Sequence, residues 1–187
     1  MRTIIAAAYK VSEKLGLFVE VAAATGARPS QLSRLHGEDV QLTGKTRLMV
    51  PVSRKGRGKK ETARRPVPVT EALAQRLAGR HGVLLPRPDG EAWVKNDHSR
   101  LFAKAVEAAG LDPDVVTIYA LRHSSIVRQL LANVPVRVVA ALHDTSAVQL
   151  ERTYSKFIAD HSDELARATL LQTSAEIVSL RAANEVP

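Results

Sequence analysis

Residues 117–157 read TIYALRHSSIVRQLLANVPVRVVAALHDTSAVQLERTYSKF and set out three helices in succession. Thr117 can cap the first, which runs to about Ala132, with Leu121, Ile126, Val127, Leu130 and Leu131 leaving little of it exposed and Asn133 ending it. Pro135 opens a second helix that ends near Leu142, and Ser146 caps a short third one that delivers Tyr154. Three reactive groups fall within this stretch. Arg122 stands in a helical first turn, is permanently charged and can fork onto a phosphate. His143 stands in a loop, where an imidazole can donate to a phosphate oxygen or move a proton. Tyr154 carries a hydroxyl able to act as a covalent nucleophile. Tyr119 lies three residues before Arg122 and so shares its helix face. An arginine on so apolar a helix is buried, and a buried guanidinium needs an anion from the protein or from a substrate.

The whole chain bounds what that chemistry serves. Its 187 residues suffice for one domain with a real core, and 45% hydrophobic with 25% charged residues is ordinary for a soluble globular protein. No secretory signal and no apolar run long enough to span a bilayer is present, so a cytoplasmic protein without a membrane partner is expected. Cysteine is absent, which excludes disulfides and thiolate-held zinc. His36, His81, His98 and His161 do not fall at metal-ligand spacing, so no metal is expected. The net charge of +8 favours a polyanionic partner, nucleic acid before membrane. Only 4% of residues are aromatic, which favours phosphate contact by Arg and Lys over base stacking.

Upstream of residue 117 the reading gives an α+β fold, mainly α-helical, with a small three-stranded antiparallel sheet. Residues 3–24 form two helical segments broken near Val11–Ser12, and Gly26 follows the last turn. Arg28 precedes Pro29, which starts a new helix, so Arg28 is held at a helix junction. Strands are expected over 39–42, 47–52 and 65–69, with Pro66 and Pro68 confining the third to an edge. Between the last two strands lies a hairpin tip in which seven of the twelve residues from Arg54 to Arg65 are basic. Charge runs are usually solvated loops, but the overall basicity favours DNA contact by Arg54, Arg57, Lys59, Lys60, Arg64 and Arg65. Thr70 caps a helix to about Gly79, residues 82–86 read as a short buried strand or extended segment, and Asn96 or Asp97 caps a helix through Ala109. A last helix is expected from Ser162 or Asp163 to about Gln172. Trp93 reads as packing and His123 as a structural histidine.

Taken in order, Ala24-Thr25-Gly26-Ala27-Arg28, the basic hairpin with Lys55-Gly56, Ala120-Leu121-Arg122-His123-Ser124, Ala141-Leu142-His143 and Glu151-Arg152-Thr153-Tyr154 resemble the catalytic domain of the tyrosine recombinases, the phage integrase family. The resemblance spans roughly residues 3–160, the globular core of what is expected to be one catalytic domain over 1–187. It implies that Tyr154 attacks a DNA phosphodiester to form a 3′-phosphotyrosine, that Arg28 and Arg122 hold the non-bridging oxygens, that Lys55 protonates the departing 5′-oxygen, and that His143 assists. It also implies no cofactor, an attachment-type duplex DNA site, and a homo-tetramer on DNA that is monomer or weak dimer without it. Leu165, Leu170, Leu171 and Ile177 are candidates for the docking surface between copies. The separate N-terminal DNA-binding domain that members carry is expected to be missing from this chain.

Two positions depart from the pattern. Tyr119 stands where the family commonly has a histidine; its hydroxyl can still hydrogen-bond a phosphate, though it is a poor general base, so it is kept among the candidate catalytic residues. Gln31 stands where the family commonly has an acid three residues after the first arginine. These departures favour a rival reading, a non-catalytic DNA-binding module that retains the fold. A third reading is a strand-relaxing enzyme without site specificity.

Overall fold

The computed structural model describes residues 1–53, 63–94, 96–159 and 166–171, without the side chains of 158 and 159. Arg54, Lys55, Arg57, Lys59, Lys60, His161, Leu165 and Ile177 lie outside the described residues, as do 162–164 and 172 of the expected last helix.

Helix α1 (Arg2–Val11) breaks at Ser12, whose extended backbone and hydroxyl, accepting from Leu15 N at 3.1 Å, start α2 (Glu13–Thr25). The two pack closely because Gly16 leaves room for the Tyr9 ring, 2.3 Å from where an added Cβ would stand. Leu15, Leu17, Phe18, Val19, Val21 and Ala22 are all buried, so α2 is covered on every side and forms the centre of the main core. Gly26 ends it in the left-handed region, and Pro29 opens α3 (Pro29–Leu32) with Arg28 at its N-cap.

The sheet runs β1 (Val40–Gln41), β2 (Arg47–Pro51), β3 (Arg64–Pro68), all antiparallel, with Leu48 opposite Val67 and Met49 opposite Pro66. Strand β3 pairs on one side only, where the missing N–H groups of Pro66 and Pro68 cost no ladder bond. Helix α4 (Glu71–Leu77) is capped by Thr70, as expected. Residues 82–86 are not a strand. Val83 forms an isolated antiparallel bridge with His36, and Leu84 and Leu85 are buried beneath it.

Helix α5 (Asp97–Ala108) follows Asn96, which takes a left-handed φ of 71° and caps nothing with its side chain. Helix α6 (Tyr119–Leu131) also corrects the sequence reading at its start. Ile118 is the N-cap and is already helical, while Thr117 contributes its carbonyl to Ala120 N and no side-chain cap. Helices α7 (Val136–Leu142) and α8 (Ala147–Ala159) follow, the latter capped by Ser146 and kinked at Tyr154 (φ −126°, ψ 18°).

A second core of Ile126, Leu130, Val139, Ala140, Leu150 and Tyr154 binds α6, α7 and α8 together. Burying each large aliphatic gains roughly 1.5–3 kcal/mol before ordering costs, so this small cluster suffices to seat α8. The architecture is a mainly helical α+β fold with one three-stranded sheet. No helix among the described residues is long and apolar enough to cross a membrane.

Candidate active site

Arg122 is 9% exposed and its guanidinium donates to two main-chain carbonyls, Gly26 O at 2.9 Å and His143 O at 2.5 Å. The α2 terminus and the α7–α8 loop are thereby tied to α6. Burial, reinforced by the charges of Arg28 and Arg65, draws its pKa down to about 10, which still leaves it cationic at neutral pH. Carbonyl oxygens satisfy its donors without neutralising its charge.

Arg28 reaches the same place from the junction of α2 and α3. Its Nη1 donates to Ser53 Oγ at 2.7 Å, to Asp144 O at 3.1 Å and to Asp144 Oδ2 at 3.3 Å. Arg65, on the edge strand, donates Nη1 to Leu142 O, while its Nε and Nη2 are buried without a partner among the described residues. Burial pulls Arg65 down to about 10, with Arg28 adding to the shift and Asp144 opposing it.

Asp144 is the residue that sequence reasoning missed. Its Oδ2 accepts from Ser53 N at 2.7 Å, Gln31 Nε2 at 3.1 Å and Arg28 Nη1. Burial pushes its pKa up, but the bonds from Ser53 and the charges of Arg65 and Arg28 outweigh this, and the net shift is downward. Gln31 therefore does not leave Arg28 without a carboxylate. Fully buried, it accepts from Arg28 N at 2.9 Å and donates to Pro51 O at 2.8 Å and to Asp144. The acid that buttresses Arg28 comes from the loop after α7. Because Ser53 is two residues from Lys55, the same carboxylate also anchors the root of the basic hairpin.

His143 is in the cluster, but not as a group open to substrate. Its ring is fully buried, with Nδ1 on Val139 O at 3.0 Å and Nε2 on Ser125 Oγ at 3.1 Å. Both nitrogens are committed, and its main-chain carbonyl is what serves Arg122. Burial pushes this imidazole down from the ordinary 6.5 to about 4. An unfolded chain takes up the proton near 6.5, whereas the folded one refuses it until about 4. The stabilisation is thus complete above 6.5 and is lost as the pH falls towards 4. At about 1.4 kcal/mol per pH unit the loss is roughly 3 kcal/mol. Urea unfolding at pH 7, 6, 5 and 4 should show this slope, and His143→Gln should flatten it by that amount.

Tyr154 closes the second core, 7% exposed, and the kink at its own position turns it off the regular path of α8. Burial raises its phenol above the usual value and Arg122 pulls it partly back. Its hydroxyl shares a 2.5 Å hydrogen bond with His123 Nδ1, the histidine read from sequence as structural.

Tyr119 is not drawn into the cluster. It is 50% exposed, its hydroxyl bonds none of the described residues, and it lines a cleft of about 860 Å³ with Pro29, Trp93, Phe102 and Thr117. None of Arg28, Arg122, His143 and Tyr154 lines that cleft, so it adjoins the reactive cluster without being part of it. Arg64 is likewise turned away from the cluster, its Nε held on Asp39 Oδ1 at 2.5 Å.

The order of these elements and their reactive groups matches one family description, "Phage integrase family", over residues 1–158. The chain belongs to the phage integrase family. A search of curated protein sequences finds no match. Among solved structures, XerA recombinase superposes with a TM-score of 0.64 at 19% identity, covering 89% of this chain and 59% of that one. The catalytic domain of bacteriophage HP1 integrase gives 0.68 at 21%, covering 92% of each chain. The Tn1549 transposon integrase, solved in complex with transposon right end DNA, gives 0.61 at 18%, covering 93% of this chain and 60% of that one. The chain thus spans about three fifths of the length of XerA and most of the HP1 domain.

Proposed function

We propose that this chain is the strand-cleaving and rejoining part of a site-specific DNA recombinase that works through a 3′-phosphotyrosine. One observation carries the reading. Among the described residues Arg28, Arg65 and Arg122 gather around the carboxylate of Asp144, and the charge of Arg122 acts on Tyr154. That deficit of negative charge is what a phosphodiester supplies. Tyr154 Oη attacks the phosphorus and the P–O5′ bond breaks, releasing a 5′-hydroxyl. Arg28 and Arg122 hold the non-bridging oxygens, where charge accumulates in the transition state. Lys55, whose hairpin is rooted at Ser53, delivers the proton to the departing oxygen. The phosphotyrosine conserves the bond energy, so the scheme needs neither metal nor nucleotide, and a second 5′-hydroxyl reverses it. Duplex DNA as the partner is supported by the net charge of +8 and by the DNA-bound transposon integrase of the same fold.

A second reading, a DNA-binding module that no longer cleaves, is favoured by the exposed and unbonded Tyr119. Covalent trapping separates the two. The protein is incubated with a nicked duplex made from the DNA flanking its own gene and resolved on a denaturing gel. Wild type and Tyr119→Phe should give a shifted band, and Tyr154→Phe should give none while retaining salt-sensitive binding. Binding without a band in wild type would establish the second reading instead.

A further inference from the structure

The scheme above leaves the proton of Tyr154 without a destination. A buried phenol held above its usual pKa yields little phenolate at neutral pH, so attack needs a base in contact with the hydroxyl. His143 cannot serve, since Val139 O and Ser125 Oγ occupy both its nitrogens. Tyr119 cannot serve either, since its hydroxyl is a weak base and bonds none of the described residues. His123 is in contact. It follows Arg122 on α6, its Nδ1 lies 2.5 Å from Tyr154 Oη, and the two rings are tilted at 49° with centroids 5.7 Å apart. The imidazole is exposed whereas the phenol is buried, so a proton accepted at Nδ1 has a path to water.

We propose that His123 is the proton acceptor for Tyr154. This rests on the recombinase reading. In the forward step Tyr154 Oη forms its bond to phosphorus as its proton passes to His123 Nδ1, and the P–O5′ electron pair leaves with the 5′-oxygen. In rejoining, the incoming 5′-hydroxyl gives its proton back to the group that protonated the leaving oxygen, its oxygen bonds to phosphorus, the P–Oη bond breaks, and His123 returns its proton to the phenolate. Arg122, one residue earlier on the same helix, holds the phosphate, so α6 presents both the charge clamp and the base.

The competing account is that His123 only orients the ring through a hydrogen bond. Asparagine separates the two, because its Oδ1 can occupy the place of Nδ1 as an acceptor but is not a base. Single-turnover cleavage of the nicked duplex would be measured for wild type, His123→Ala and His123→Asn, with and without added imidazole, alongside DNA affinity and thermal melting. Both variants should lose about 10²–10⁴-fold in cleavage, with affinity and melting close to wild type. Imidazole should restore part of the activity of His123→Ala. A His123→Asn protein within threefold of wild type would overturn the assignment and leave His123 as an orienting group. Wild type that binds the duplex but forms no covalent product would overturn the recombinase reading itself, and the inference with it.

Discussion

Arg122→Lys should reduce strand cleavage by at least about 10³-fold and also lower stability, a combination that an ordinary active-site cation would not show. Loss of a single aligned donor to a developing oxyanion costs about 10²–10³-fold. Lysine loses more, because one ammonium cannot span Gly26 O and His143 O and still present a flat pair of donors to a phosphate. The two carbonyls that Arg122 bridges belong to different parts of the chain, the end of α2 and the turn after α7. At about 1.5–3 kcal/mol for a charged hydrogen bond, partly recovered because lysine can still reach one carbonyl, the stability loss should be about 2–3 kcal/mol. For a protein of this size that lowers the melting midpoint by roughly 4–12 °C. Cleavage would be followed by single-turnover kinetics below the new midpoint, and stability by calorimetry. Cleavage within tenfold of wild type would mean that Arg122 is only an internal brace and that another cation meets the phosphate.

How much of this was legible in the sequence depends on the range of the interaction. Ser12, Gly26, Pro29, Thr70 and Ser146 act on their own neighbours, and each stops or starts a helix where the local chemistry says it should. The prolines of β3 placed it at the sheet edge for the same reason. The candidate residues were legible as types in order, and the fold brings Arg28 and Tyr154 each near Arg122. What failed was the assignment of side chains whose direction is settled by distant parts of the chain. Asp144 meets Arg28 across 116 positions and Ser53 across 91, and nothing near residue 144 announces either contact. A carboxylate in a loop reads as solvent-exposed until three donors are folded onto it.

The two histidines sit differently from their sequence readings for a related physical reason. His143 stands just after α7, where an added Cβ at Gly26 would collide with its ring. The ring packs against Gly26 and completes its bonding with Ser125. His123 lies one residue around α6 from a buried arginine, which places it near the edge of the buried face. Only the break in α8 at Tyr154 brings a hydroxyl to it. Helical periodicity predicts faces, and it cannot foresee a kink on the opposing helix.

Gly26→Ala isolates this dependence, and it should be among the most damaging single-methyl changes in the protein. The residue sits at φ 61°, where a Cβ costs about 1–2 kcal/mol. The added carbon would also stand 2.5 Å from His143 Nε2, 2.6 Å from His143 Cδ2 and 3.0 Å from Ser125 Cβ. His143 cannot swing aside without giving up Val139 O or Ser125 Oγ, so overpacking adds about 1–3 kcal/mol. A total near 2–5 kcal/mol should appear in urea unfolding. Cleavage should fall about 10²-fold even where the variant is folded, because Gly26 O and His143 O both position Arg122 and small misplacements of a clamp are costly. Gly26→Asn distinguishes the two causes, since asparagine tolerates the left-handed region but carries the same Cβ. If Asn is as harmful as Ala, the clash with the buried imidazole dominates, and adding His143→Ala to Gly26→Ala should then cost less than the two changes summed. If Asn restores stability to near wild type, backbone strain is the whole effect and the packing of His143 on Gly26 has no role in seating Arg122.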